Sequence, residues 1–500
     1  MATVINNVTR INDVEGTLTL SSIGGGQGGS ANTDVFIQAS QSAGRRSDAV
    51  TAHGFLLDDG VSTTDLTPAG THCGAWMWVT HYAVLTRIDF AIGSSTSAYD
   101  RHTLPLSEYP ALGGWVKVWV DVSRTPETTA GGGATLSAAR YYGPVIDIGN
   151  VGGNAQNNIL DAIDSTVSGF DLTGATGKFQ DFVDYDEGDT TNTFGLVNSL
   201  SEIVFCKGRL NLGGSDALDF TDSQFNIVFP QQSLVADDFM GVTVHGIDAL
   251  TDINLDNGSF NSPGTKKGDF IVTGDDGTLS INGVTFAGLR RIQLGTIATV
   301  TASTISACNT GIHDGGTISS STISDTLLVT TSPGGVSNST FISTGAGGGH
   351  GMEILVTGEY TLSNVTWSNF GASGSTDAAI YNNSGGDLTL NVAGGTTPTY
   401  RNGAGATTSI VADPATLTLT NVVSGSEVRI YTAGTTGELY GIETTDGVTD
   451  PAYVYTETGF VDIVVHNIDY NYLRIDDYPL QTTDASLPIA QVFDRNYDNP

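Results

Sequence analysis

Short runs of alternating apolar and polar residues dominate this chain, and they predict strands along most of its length. In Trp115 to Val122, Trp115, Lys117, Trp119 and Asp121 fall on one face and Val116, Val118, Val120 and Val122 on the other. Val35–Ala39, Ala75–Thr80 and Leu85–Ile92 read in the same way, with Gly- and Ser-rich connectors between them. Residues 1–145 are therefore expected to form an antiparallel β-sandwich or jelly roll. Residues 146–167 break the alternation. In NAQNNILDAIDSTV, Ile159, Leu160, Ile163 and Val167 share a helical face and Asn154 can cap the start. A linker and a short helix over Asn154–Val167 are expected, placed to cover the open end of a β-solenoid.

The solenoid is predicted by a repeat, apolar-x-x-small-Thr-apolar. Its copies are Ile281 to Phe286, Val300 to Ile305, Ile318 to Ile323, Val336 to Phe341 and Leu362 to Trp367. Leu255 to Phe260 and Phe220 to Phe225 are weaker copies. The threonines Thr285, Thr304, Thr322, Thr340 and Thr366 are offset by 19, 18, 18 and 26 residues. A period near 20 residues is that of one solenoid rung. Apolar positions would stack inside the column and Thr would face out. The longest rung needs a bulge, which STGAGGGHGME at 343–353 supplies. Residues 168–412 are expected to form a right-handed parallel β-helix of roughly eight to ten rungs.

From 413 the texture changes again. Thr416–Val423, Glu427–Thr432, Tyr453–Thr456 and Val461–Asn467 read as strands of a small, sandwich-like C-terminal β domain over 413–500. It holds Tyr431, Tyr440, Tyr453, Tyr455, Tyr470, Tyr472 and Tyr478, out of 17 tyrosines in the chain. The fold class is thus all-β in three parts.

Composition narrows the partners. The chain has 19 basic and 53 acidic residues, for a net charge of −34. A surface this negative repels nucleic acid and anionic lipid and keeps an edge-rich β protein soluble. Neither nucleic-acid binding nor membrane insertion is expected, and no window approaches a transmembrane helix. Cys73, Cys206 and Cys308 are far apart and odd in number, which suits buried reduced thiols and assembly in a reducing cytoplasm. The opening MATVINNVTRINDVEG lacks the charged and apolar regions of a secretory signal, so that route is not expected.

Candidate chemistry is sparse. Nucleotide-binding loops, H-E-x-x-H, C-x-x-C and G-x-S-x-G are absent from the sequence. His72 and His81 flank a tryptophan-bearing strand beside Cys73, without the spacing of a metal site. A glycosidase needs two acids across a cleft, and neighbouring rungs can place them one strand spacing apart. Asp237-Asp238, Asp275-Asp276 and Asp314 are the acids to test, although Asp in such Gly-rich turns is favoured for backbone reasons alone. The densest acidic run, Asp181 to Asp189, alternates oxygen ligands around Gly188. Asp184, Asp186 and Asp189 are its candidate calcium ligands, set against a plain solvated loop. No other cofactor is called for. Aromatic rings can stack on sugar faces, so Trp115 and Trp119 and the tyrosines Tyr453, Tyr455, Tyr470 and Tyr472 are candidate glycan contacts. The competing reading is that they are core or subunit contacts.

This order of parts resembles bacteriophage appendage proteins, namely tailspikes, tail or head fibres and vertex proteins. As architecture the resemblance covers nearly the whole chain; as motif it covers Ile281 to Trp367. It implies a homotrimer in the virion, joined to other virion structural proteins by one end and able to meet a host-surface glycan with the other. The expected function is a structural or adhesive virion component without catalysis. The alternatives are a tailspike glycan depolymerase and a capsid or tail decoration protein. No catalytic residue is carried over, because no position matches a defined motif.

Overall fold

The structure, a computed structural model, describes residues 2–493 except 16–17, 24–29, 33–40, 48–52, 59, 61, 80–84, 105–114, 149–155, 190, 192, 194–197, 201–202, 206–207, 215–216, 230–240, 247–250, 263–267, 275, 346–348, 413, 457–458 and 482–483. The chain is all-β, and its largest feature is a column of three parallel ladders. Sheet I starts at Phe170–Leu172 and passes through Arg209–Leu212, Gly241–Gly246, Asp269–Gly274 and Arg291–Leu294. It continues through Thr310–His313, Leu328–Thr330, Met352–Ile354 and Ile380–Asn382 to Tyr400–Asn402. Sheet II runs from Gly174–Gly177 to Thr407–Val411, and sheet III from Ile203–Phe205 to Thr366–Ser368. The described strands of the column run from Phe170 to Val411.

The repeat is one corner of this column. Leu255, Ile281, Val300, Ile318 and Val336 are in register on sheet II, all fully buried. Phe260, Phe286, Ile305, Ile323, Phe341 and Trp367 are in register on sheet III. Like stacks on like: the rings of Phe260 and Phe286 are 5.3 Å apart and 7° from parallel. The third hexad position makes the turn between the sheets. Asn257, Gly283, Ala302, Ser320, Asn338 and Asn364 all have φ between 46° and 64°. This left-handed conformation suits Gly and Asn best. The small fourth position then points inward. Ser303, Ser321 and Ser339 are buried, and each hydroxyl accepts from the backbone N–H of the equivalent residue one rung earlier, at 3.1–3.2 Å.

Before the column, two antiparallel sheets share one core. The first has the strand order Thr128–Ala130, Tyr99–Leu104, Leu85–Gly93, Tyr141–Ile148, His53–Asp58, Thr19–Ile23. The second is built around Gln156–Gly177. This strand pairs with Thr3–Asn12 and Ser42–Ser47, and with His72–Val79, which pairs in turn with Val116–Asp121. Phe55, Phe90, Ile92 and Tyr142 of the first sheet pack with Met77, Val118, Val120, Leu160 and Ile163 of the second. The expected strand Val35–Ala39 lies outside the described residues.

The helix expected over Asn154–Val167 does not form. Residues 156–177 are one strand that leaves the N-terminal sheets and becomes the first rung, so 146–167 is no separate linker. A bulge between Asp161 and Asp164, with Ala162 at φ 46°, puts Leu160 and Ile163 on the same face and imitates helical spacing. A capping helix does exist, at Phe179–Gly188. It buries Phe179, Phe182 and Val183 in the column core, with Phe179 5.1 Å from both Phe220 and Phe225.

The last part has two small sheets around their own core. One orders Ala452–Tyr455, Ala415–Thr420 and Ala485–Pro488; the other orders Glu438–Ile442, Glu427–Thr432, Phe460–Asn467 and Tyr470–Pro479. No helix among the described residues is long and apolar enough to cross a membrane.

Candidate functional site

The outward face of sheet I is polar and covered over its first rungs. Asp171, Asn211, Thr243 and Ile271 are in register there, at 9%, 3%, 3% and 6% exposure. Outward positions of a free sheet face would be far more exposed, so these line a recess. It encloses about 540 Å³ and is also lined by Val167, Arg209, His245, Thr273 and Arg291.

Its polar groups are held by one another. Asp171 accepts from the amides of Asn7 and Asn211, both at 2.8 Å, and the Asn211 amide also reaches the Ser168 carbonyl at 2.6 Å. The Arg209 guanidinium donates to the Thr243 hydroxyl at 2.6 Å. His245 Nδ1 and the Thr273 hydroxyl are 2.8 Å apart. Behind the rim, buried Asp269 gathers three arginines. Arg290 grips both of its oxygens, the Nε contact at 2.9 Å, while Arg291 lies at 3.4 Å and Arg209 at 3.9 Å. Burial pushes the His245 imidazole below its ordinary range; Asp171 pulls it back up and Arg209 adds to the depression. At neutral pH His245 is a neutral donor and acceptor. The recess thus presents fixed guanidinium, amide, hydroxyl and imidazole groups, a set suited to hydroxyl-rich ligands.

A second cavity, of about 270 Å³, is lined by Cys308, Ile342, His350 and Phe370 among others. The Cys308 thiol is turned to the backbone, 3.3 Å from the Ser306 carbonyl. Cys73 and Cys308 are buried, as expected, and Cys206 lies outside the described residues.

The aromatic candidates separate by burial. Trp119 is 1% exposed and belongs to the column core, so it is no glycan contact; the face it shares with Lys117 is buried, not polar surface. Trp115 is half-buried, edge-on to Trp78 at 5.8 Å. Tyr455 is 7% exposed, with its hydroxyl on the Gln481 carbonyl at 2.9 Å, and Tyr453 stacks on it at 5.5 Å against the C-terminal core. Both are packing residues. Tyr470 is half-buried against Phe493, and Tyr472, at 59% exposure, is the ring left open to solvent.

The acidic run is a helix, not a loop. Asp184 takes a hydrogen bond from Gln180, and Asp189 ends the helix, bound by Thr191 and Thr193. Asp184, Asp186 and Asp189 do not converge, and no group of three or more metal-binding side chains occurs among the described residues. His72 is buried with Nδ1 at the Gly70 carbonyl, and His81 is outside the described residues. Asp237, Asp238 and Asp275 are also outside them, while Asp276 and Asp314 are exposed on separate turns. A pair not singled out in the sequence does form: Asp219 and Asp252 are exposed and directly in register on neighbouring rungs of sheet II. Their offset of 33 residues exceeds the regular period, which hid their alignment. The recess was hidden likewise, although the adjacent Arg290-Arg291 in a chain of 19 basic residues was an available signal.

No protein-family model matches the chain, and no curated protein matches it. Among solved structures, an agarase is similar over 32% of this chain, at 10% identity and a TM-score of 0.23. The chain spans only 25% of that agarase. A structure of carbohydrate-binding modules from the β-sandwich superfamily matches 32% of this chain and 56% of its own, at 12% identity and TM-score 0.16. The catalytic domain of a GH87 α-1,3-glucanase matches 71% of this chain and 78% of its own, at 9% identity and TM-score 0.16. Scores this low carry no inference about activity.

Proposed function

We propose that this protein is a structural and adhesive component of a bacteriophage particle. In this reading the column is a rigid spacer, the chain assembles as a homotrimer, and the recess on sheet I holds a host-surface glycan without cleaving it. The recess carries the reading. Its carboxylate, Asp171, is saturated by two amides, and Asp269 is buried behind arginines. Neither is placed as an acid or base toward a ligand in the cavity, whereas fixed donors suit binding. The test uses purified full-length protein on host cells and on their extracted polysaccharide. Binding that weakens at least tenfold in Asn211→Ala, with no release of reducing ends, is expected. Labelling of particles with an antibody to this chain should decorate them; absence from particles overturns the virion assignment.

A second reading, a tailspike glycan depolymerase, draws on Asp219 and Asp252. Their strands lie about 4.8 Å apart, near the carboxylate separation of a retaining glycosidase, about 5–5.5 Å. Reducing ends that appear with the wild type and vanish in Asp252→Asn would favour cleavage over adhesion.

A further inference from the structure

A lysine and an aspartate meet, fully buried, where the chain passes from the N-terminal sheets into the column. The side chains of Lys117 and Asp164 are both 0% exposed. Lys117 Nζ donates to Asp164 Oδ2 and, at 3.2 Å, to the Ala162 carbonyl. The rings of Trp119 and Trp76 lie 5.3 and 5.8 Å from Nζ. Register fixes a third group. Lys117 pairs with Trp76 and Trp76 with Asp161, while Asp164 pairs with Gly74 and Gly74 with Trp119. Residues paired across a sheet share a face, so Asp161, also fully buried, stands on the same face as Lys117 and Asp164. Arg10 Nε holds the other oxygen of Asp164.

An ion pair is the ordinary reading of such a contact. Yet an ion withdrawn from water costs several kcal/mol, of which a desolvated cation–π contact offsets about 2 kcal/mol. Burial pushes the Lys117 ammonium down, opposed by the Asp164 charge. Burial pushes the Asp164 carboxyl up, opposed by Lys117 and Arg10. Both directions ease transfer of the ammonium proton to the carboxylate, which yields the amine and the acid that can react. A desolvated amine is a nucleophile. Well-placed intramolecular groups reach effective molarities of about 10⁵–10⁸ M, and exclusion of water protects the product.

We propose that Lys117 and Asp164 condense into an amide that cross-links Val116–Asp121 to Gln156–Gly177 across the intervening strand His72–Val79. The Nζ lone pair attacks Cγ of Asp164, forming the C–N bond. Asp161 carries the proton from Nζ to the Asp164 hydroxyl, which leaves as water as the C–O bond breaks. Amine and acid give amide and one water, with no oxidant or cofactor. Arg10 faces the oxygen that gains charge in the tetrahedral adduct. The cross-link fastens an outer strand to the strand that feeds the column, and it stands whether or not the virion assignment holds.

Mass spectrometry of a tryptic digest of the denatured, full-length protein tests this. The expected product is a branched peptide joining the Lys117 and Asp164 segments, lighter than their sum by one water and uncut after Lys117. Asp164→Ala should return both linear peptides, and Asp161→Ala should raise the linear fraction. Linear Lys117 and Asp164 peptides at unmodified mass in the wild type would overturn the proposal. So would a branch at Lys117 that persists in Asp164→Ala. The wild-type digest decides by itself, so a variant that fails to fold does not blur the result.

Discussion

A buried serine at the corner between sheets II and III does the work of a backbone partner. Ser321 donates to the Ser319 carbonyl at 2.7 Å and accepts from Ser303 N–H at 3.1 Å. Ser321→Ala leaves that N–H unpaired in a dry corner, and should cost about 1–3 kcal/mol in urea unfolding. The residue before Ser303 pulls the other way. Ala302 is held at φ 49°, where an L-residue loses roughly 1–2 kcal/mol relative to right-handed backbone. Ala302→Gly should therefore raise the melting temperature, an unusual sign for glycine in a β protein. One titrating side chain also lies in the column interior. His313 is fully buried, with Nδ1 3.0 Å from the Thr330 hydroxyl and Nε2 3.1 Å from the Gly316 carbonyl. Burial lowers its pKa, opposed weakly by the Gly316 bond and Asp314. The folded protein keeps it neutral while the unfolded chain takes up a proton below its ordinary value of 6.5. Its contribution is whole above that value and is lost as pH falls toward the folded-state pKa. The drop in melting temperature between about pH 7 and pH 5 should shrink in His313→Gln. It should not vanish, because His102 and His245 are depressed by burial too.

At the scale of elements, the helix Phe179–Gly188 closes the column, and its first turn is tied down twice. Phe179 N–H donates to Asp222 at 2.7 Å and Lys178 N–H to Asp181 at 3.0 Å. Phe182→Ala should cost about 3–5 kcal/mol. Hydrogen exchange should show the loss in the rungs at 209–228, with protection near 380–411 unchanged. The helix was readable in outline: Phe179, Phe182 and Val183 have the i, i+3, i+4 spacing of an amphipathic helix. The acids between them drew attention to calcium instead. The II–III corner was legible because its six residues never vary in length. Sheet I was less so, because the segments leading to it vary in length from rung to rung. The buried face of Val116–Asp121 was not legible at all. Lys117 marks that face as polar until Asp164, 47 residues on, is seen to neutralise it.

At the scale of the whole molecule, the cores decide what unfolds together. Trp119, from an N-terminal strand, is part of the column core, and the strand Gln156–Gly177 belongs to both structures. The N-terminal sheets and the column should therefore melt as one unit, since neither can lose that strand alone. The C-terminal core, built on Leu417, Leu419, Val428, Ile430, Ile463 and Val465, shares no residue with the column core among the described residues. It should melt by itself. Calorimetry of the full chain should show two transitions, the smaller belonging to 414–500. A chain ending at 412 should keep the larger one at its original temperature, while Trp119→Ala should shift the larger and leave the smaller in place. A single transition, or a column that unfolds when 414–500 is removed, would mean that the C-terminal sheets stabilise the last rungs rather than simply trailing them.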